Sequence, residues 1–251
     1  MTKPGLPKDV PYRSASGRHG VLRVAHDQFS DTAIVDFPGD AIDHLPASSL
    51  RVTLYSGQPY LDLELTIKNK AKDNWPEADW LCLPFRVKDP QYRVGRSLGI
   101  MDPAHDILRG ANRHLCAVGA GVTLIDADGA GISLCPLDHP LISLDTPGIW
   151  KYSLDFVPKK PVIFLNLYNN QYNTNYRYWY PGTWSSRVRI WPSTDLTVLS
   201  WSREILQPTQ WRVAPHGTVD KTKRNEAESS SRQLPAAKSW LLFDKTEEER
   251  P

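Results

Sequence analysis

The clearest pattern in the chain is YLDLELTIKNK, residues 60–70. Leu61, Leu63, Leu65 and Ile67 alternate with Asp62, Glu64, Thr66 and Lys68. An apolar position at every second residue is the mark of a strand with one dry face and one wet face. Weaker forms of the same pattern predict strands at 20–27 (GVLRVAHD), 32–37 (TAIVDF) and 49–57 (SLRVTLYSG), with SGQP as the turn into 60–70. Residues 80–87 (WLCLPFRV) read as a strand interrupted by Pro84, which suits an edge or a bulge. Residues 94–115 lack alternation and read as a long ordered loop with a single helical turn near 103–108. Residues 120–138 read as a hairpin turning at Asp128-Gly129, because Asp-Gly supplies the left-handed backbone a tight hairpin needs. Further strands are expected at 161–168, 185–191 and 197–205.

No amphipathic helix stands out, and short strands punctuated by turns predict an all-β, antiparallel sandwich. The expected organisation is an irregular Pro-, Gly- and Ser-rich entry segment over 1–17, the sandwich over 18–206 and a polar tail over 207–251. From Val219 to Gln233 the only apolar residue between the ends is Ala227, too little to offset the entropy of ordering, so disorder is expected there.

The 251 residues carry a net charge of +2, which gives no reason to expect a nucleic-acid partner. Arg187 and Arg189 are local and read as an exposed strand face. The three cysteines, Cys82, Cys116 and Cys135, lack metal-type spacing and read as buried thiols. The N-terminus has no apolar signal core and no apolar run reaches a membrane-spanning length. No membrane partner and a cytoplasmic location by default are therefore the expectations.

The seven histidines form no HxH or HExxH pair, and no metal site is expected. The stretch DPAHD, residues 102–106, reads as a turn organised by its own aspartates. There is no GxSxG elbow, and the glycines of DADGAG precede a strand where a phosphate loop requires a helix. Aspartates are plentiful, but the sequence gives no way to pair two of them across a glycosidic bond.

The unusual stretch is NLYNNQYNTNYRYWY, residues 166–180. Its amides offer donors and acceptors without charge, and its rings offer flat apolar faces. A sugar presents the complement, with vicinal hydroxyls and an apolar C–H face. Asn169, Asn170, Asn173, Asn175 and Arg177 are the candidates for hydroxyl contacts. Tyr172, Tyr178 and Trp179 are the candidates for stacking. The competing reading is a structural loop whose amides satisfy its own backbone while its rings plug the end of the sandwich.

The blocks RVTLYSGQPYLDLELTIKNKAKDNWPEADWLCLPFRV, GANRHLCAVGAGVTLIDADGAGISLCPLDHPLISL, PGIWKYSLDF and VIFLNLYNNQYNTNYRYWYPGTWSSRVRIW together resemble a known family. They are similar to the C-terminal β-sandwich region of family 38 glycoside hydrolases, the α-mannosidases, and closest to an uncharacterised bacterial group. The resemblance implies a β-supersandwich of the galactose-mutarotase-like type, possibly truncated at its C-terminal end. It implies that the catalytic barrel, with its aspartate nucleophile and its zinc ligands, is absent from this chain. No cofactor is then expected here, and zinc would belong to the missing barrel. The expected function is that of an accessory domain lining a sugar pocket, with carbohydrate and a separate catalytic polypeptide as partners. Arg113, His114, Asp138 and His139 are secondary candidates for sugar contact. A stand-alone mutarotase-like epimerase or lyase using His114, His139 and Asp138, and a decayed fragment with no ligand, are the alternatives.

Overall fold

The computed structural model describes residues 13–72, 76–96, 99–149, 151–170 and 179–194. Among them every regular element is a strand and every strand pairing is antiparallel. A four-strand meander opens the chain: β1 (Val21–His26), β2 (Ser30–Phe37), β3 (Ala47–Tyr55) and β4 (Leu61–Lys70). There follow β5 (Ala78–Pro84), β6 (Gln91–Arg96), β7 (Gly99–Met101), β8 (Cys116–Ala117), β9 (Gly121–Ile125), β10 (Gly131–Pro136), β11 (Leu141–Leu144), β12 (Val162–Asn169) and β13 (Gly182–Ser193). They form a nine-stranded sheet, ordered β1-β2-β3-β4-β13-β10-β9-β6-β7, and a four-stranded sheet, ordered β5-β12-β11-β8.

The alternation of residues 60–70 accounts for the join in the large sheet. Leu61 and Leu63 stand opposite Ile190 and Val188 of β13, so the two strands share an apolar face there, and Leu65 stands opposite the buried Ser186. The four-stranded sheet contributes Leu81, Leu83, Ile142, Leu144, Ile163, Leu165 and Leu167 to the same core. Val94, Val122, Leu124 and Leu134 complete it from the far side of the large sheet. The core is therefore the layer between two sheets, the arrangement that lets each bury one face.

On the opposite face of the large sheet the charges are paired. Arg189 donates to both carboxylate oxygens of Asp62, at 2.7 and 2.9 Å, and its guanidinium lies over the Tyr60 ring. Asp36 takes Lys68 at 2.7 Å and also pairs with Arg23. Thr123 and Ser133 share a buried hydroxyl bond of 2.6 Å, and Trp191 and Cys135 are buried near them.

Several expectations change. Residues 94–115 are not simply a loop: β6 runs through Arg96 and β7 follows it. The turn near 103–108 is present as one pair of bonds, from the amides of His105 and Asp106 to the Asp102 carbonyl, without becoming a helix. The two-residue β8 and the four-residue β11 were also not anticipated. Cys82 is exposed rather than buried, because it lies on the face of β5 turned away from Leu81 and Leu83. Cys116 and Cys135 are buried, and burial pushes the Cys135 thiol up to about 12. The expected strand at 197–205, the boundary near 206 and the polar tail lie outside the described residues, as does most of the entry segment.

Candidate functional site

The described parts of the Asn-rich stretch are the end of β12 with Asn170, and Trp179 and Tyr180 just before β13. Two β-bulges lie beside them, one in each sheet. Between β12 and β5 the register slips at Asn166/Tyr168, and between β13 and β4 it slips at Gly182/Trp184. A bulge adds a residue to one strand and reverses which face the following side chains take. The first lets Leu167 and Tyr168, neighbours in sequence, both enter the core. The second falls on Asn69, which adopts a left-handed φ of 48° and is held by Thr183: its amide donates to the Thr183 hydroxyl at 2.9 Å. It turns Lys70 inward, where uninterrupted alternation would have left it outside with Lys68.

The two redirected side chains meet. The Lys70 ammonium lies 5.2 Å from the centre of the Tyr168 ring and donates to Glu77 at 2.5 Å, with both ionic groups almost wholly enclosed. Asn170 fastens the same end. Its side-chain carbonyl accepts the Glu77 amide at 2.7 Å, and its own amide donates to the Glu77 carbonyl at 3.0 Å. The Asn166 side chain donates to the carbonyls of Asp79 and Tyr168. Burial pushes the Asp79 carboxyl up, against the opposing pull of Tyr168 and Lys70. The Tyr168 hydroxyl makes no hydrogen bond of good geometry, yet burial, with Asp79 and Glu77 nearby, raises its pKa strongly. Rings surround it: Tyr168 packs on Tyr180 and, edge to face, on Trp184, which also touches His139.

The structure thus brings Asn169, Asn170, Trp179 and His139 to one end of the sandwich. Asn170 is buried and spent on Glu77. Asn169 has a buried side-chain oxygen without a hydrogen-bond partner. Trp179 is half-buried, with the Lys72 ammonium 4.0 Å from the centre of its ring. Burial lowers the pKa of His139, against the attraction of Asp138. Tyr172, Asn173, Asn175, Arg177 and Tyr178 lie outside the described residues.

Asp138 turns to the charged face. It accepts the Arg187 amide and both arms of that guanidinium, at 2.8 to 2.9 Å, and Arg187 holds its carboxyl below the usual range. Arg113 and His114 have other neighbours. His114 stacks on Phe156 at 4.3 Å, with both ring nitrogens buried and without partners, and burial lowers its pKa. Arg113 donates to the Ile107 carbonyl at 2.7 Å and, with Arg109 and Asp155, lines an open depression of about 510 Å³. Lys70, Glu77 and Asp79 were not singled out from the sequence, and Tyr168 only as one of the rings of the Asn-rich stretch. The available signal was three ionisable residues and a tyrosine at the ends of strands, a position where charge is ordinarily solvated.

No family model matches the chain, and no curated protein matches it. Solved structures align loosely. A TPR-domain containing protein from Parabacteroides distasonis aligns over 70% of this chain and 35% of its own, at 12% identity and TM-score 0.40. A GH36 α-galactosidase, AgaA from Geobacillus stearothermophilus in complex with raffinose, aligns over 77% and 29%, at 13% and 0.42. The Slr1438 protein of Synechocystis sp. PCC 6803 aligns over 69% and 66%, at 11% and 0.38. The chain spans about a third of the length of the first two. Likenesses this distant carry neither a family nor a function to the chain.

Proposed function

We propose that this chain is a carbohydrate-associated accessory domain of a glycoside hydrolase of the α-mannosidase-like kind its sequence resembles. In this reading the β12–β13 end of the sandwich forms one wall of a sugar pocket, and a separate catalytic polypeptide forms the rest. The observation that carries it is the double bulge. It sets Tyr168 and Asn170, at the described end of the Asn- and aromatic-rich stretch, beside an enclosed Lys70–Glu77 pair, while Asn169 has a buried oxygen without a hydrogen-bond partner and Trp179 a half-buried ring. Contact residues held in place before binding limit the entropy lost on binding. Among the described residues no three His, Cys, Asp or Glu side chains gather as a metal site requires. The epimerase alternative is less well supported, since Asp138 is committed to Arg187 through both oxygens.

The test is titration of the chain with mannosides and galactosides by NMR, beside Trp179→Ala and Arg177→Ala. One wall of a pocket binds weakly, so a Kd on the order of 1 mM is expected. Loss of a stacking ring should weaken it about tenfold, comparable to 1–2 kcal/mol. No shift with any sugar, or shifts that both variants leave intact, would overturn the reading.

A further inference from the structure

The two sheets do not match in width, and the overhang is apolar. Contacts at its two edges place the small sheet over one part of the large one. On one side Lys70 at the end of β4 pairs with Glu77 at the approach to β5. On the other, Gly119, just after β8, donates to the Gly95 carbonyl of β6. The strands β1, β2 and β3 extend beyond the β5 edge. Their register shows what they carry on the core side. Leu22, Val35 and Leu50 lie in one cross-strand row that leads to Leu65, and Val24, Ala33 and Val52 lie in another that leads to Leu63. Burial falls along each row toward the edge. Leu63 is 7% exposed, Val24 56% and Leu22 61%, while Leu54 on the same face is 51% exposed. The core thus continues laterally onto a surface that no second layer covers among the described residues.

We propose that a second copy of this chain covers it, forming a two-fold dimer in which the β1–β3 faces pack against each other. Three features select a copy over another partner. First, a two-fold contact needs a self-complementary patch, and a flat apolar face opposed to itself is one. Arg23, Asp36, Arg51 and Lys68 all point to the opposite face by register. The charged pair on the apolar side, His26–Asp31, lies at its rim and is internally bonded at 2.7 Å. Second, the area is adequate. Strands spaced about 4.8 Å apart, with about 3.3 Å per residue, give an overhang of roughly 14 by 26 Å. Two such faces with their edges bury on the order of 1,000 Å², near the lower limit for a specific interface. Third, among the described residues each sheet ends at this place, with β1 at the edge of one and β5 at the edge of the other. Packing the overhangs face to face brings β1 of one copy beside β5 of its partner, which answers the hazard of two open edges.

The experiment is sedimentation velocity on the full chain from about 1 to 200 μM, alongside Leu22→Glu and Val24→Glu. Both side chains are exposed in the single copy, so the variants retain its fold, which circular dichroism checks. The expected result is a concentration-dependent dimer that both substitutions dissociate by at least tenfold, with β1 amides exchanging more slowly as dimer forms. A monomer at every concentration would overturn the proposal. So would an oligomer that neither substitution disturbs.

Discussion

The enclosed Lys70–Glu77 pair is the residue-scale feature that decides most at the candidate site. Two buried opposite charges are stable only together, since each alone would bear an uncompensated desolvation cost. Lys70→Met should therefore destabilise the fold by about 3–5 kcal/mol in urea unfolding, whereas Lys70→Met with Glu77→Gln should recover most of that loss. Near-equal stability of the single and double variants would show that the pair is not isolated from water. Asp79 behaves oppositely. Its folded pKa is raised, chiefly by burial, so the folded state holds its proton more tightly than the unfolded chain does. The associated stability is complete below the unfolded value and is lost as pH rises through the folded one. At pH 7 the buried Asp79 carboxyl lacks that stabilisation, and Asp79→Asn should raise Tm there while leaving it nearly unchanged at pH 3. A lower Tm at pH 7 would mean that the carboxylate is stabilised by more than the nearby Tyr168 hydroxyl and Lys70 charge.

At the scale of single elements, the strands with clean alternation were legible. β4 could be read from Leu61, Leu63, Leu65 and Ile67 alone, and the β9–β10 hairpin from Asp128-Gly129. What alternation could not show were β6, β7, β8 and β11. Gly95 and Gly99 dilute the first two, β8 has two residues, and Ile142, Ser143 and Leu144 of β11 are all buried, so no wet face marks it. The site was legible only in part for the same reason. Bulges break the period that sequence reading relies on, so Lys70 and Tyr168 look like solvated strand ends until the register is known. The hairpin glycines show how local demands differ. Gly129 takes a φ of 80°, whereas at Gly131 a Cβ would stand 2.1 Å from the Leu124 carbonyl oxygen. Gly129→Ala should cost about 1–2 kcal/mol through the left-handed backbone. Gly131→Ala should cost at least the 1–3 kcal/mol of an overpacked core, because strand backbone must move. Thermal unfolding of the two variants checks that order.

Across the whole molecule, stability should follow the overlap of the sheets rather than the count of apolar residues. Leu165, in the middle of the four-stranded sheet, is fully buried between layers, while Leu22 is mostly in solvent. Leu165→Ala removes packed methyl groups and leaves a cavity, at a cost of about 2–5 kcal/mol. Leu22→Ala, at micromolar concentration or below so that association does not contribute, should change stability by less than about 0.5 kcal/mol. Both variants should unfold in one transition with the same urea dependence as the parent chain, since the layers share one core and lose it together. That outcome bears on whether the chain is a decayed remnant. A remnant that had lost a layer essential to its fold would melt over a broad range and bind hydrophobic dyes before unfolding. A sharp transition, moved as a whole by Leu165→Ala and not by Leu22→Ala, would show that the overlapped part is self-sufficient and that the bare β1–β3 face is a surface for association.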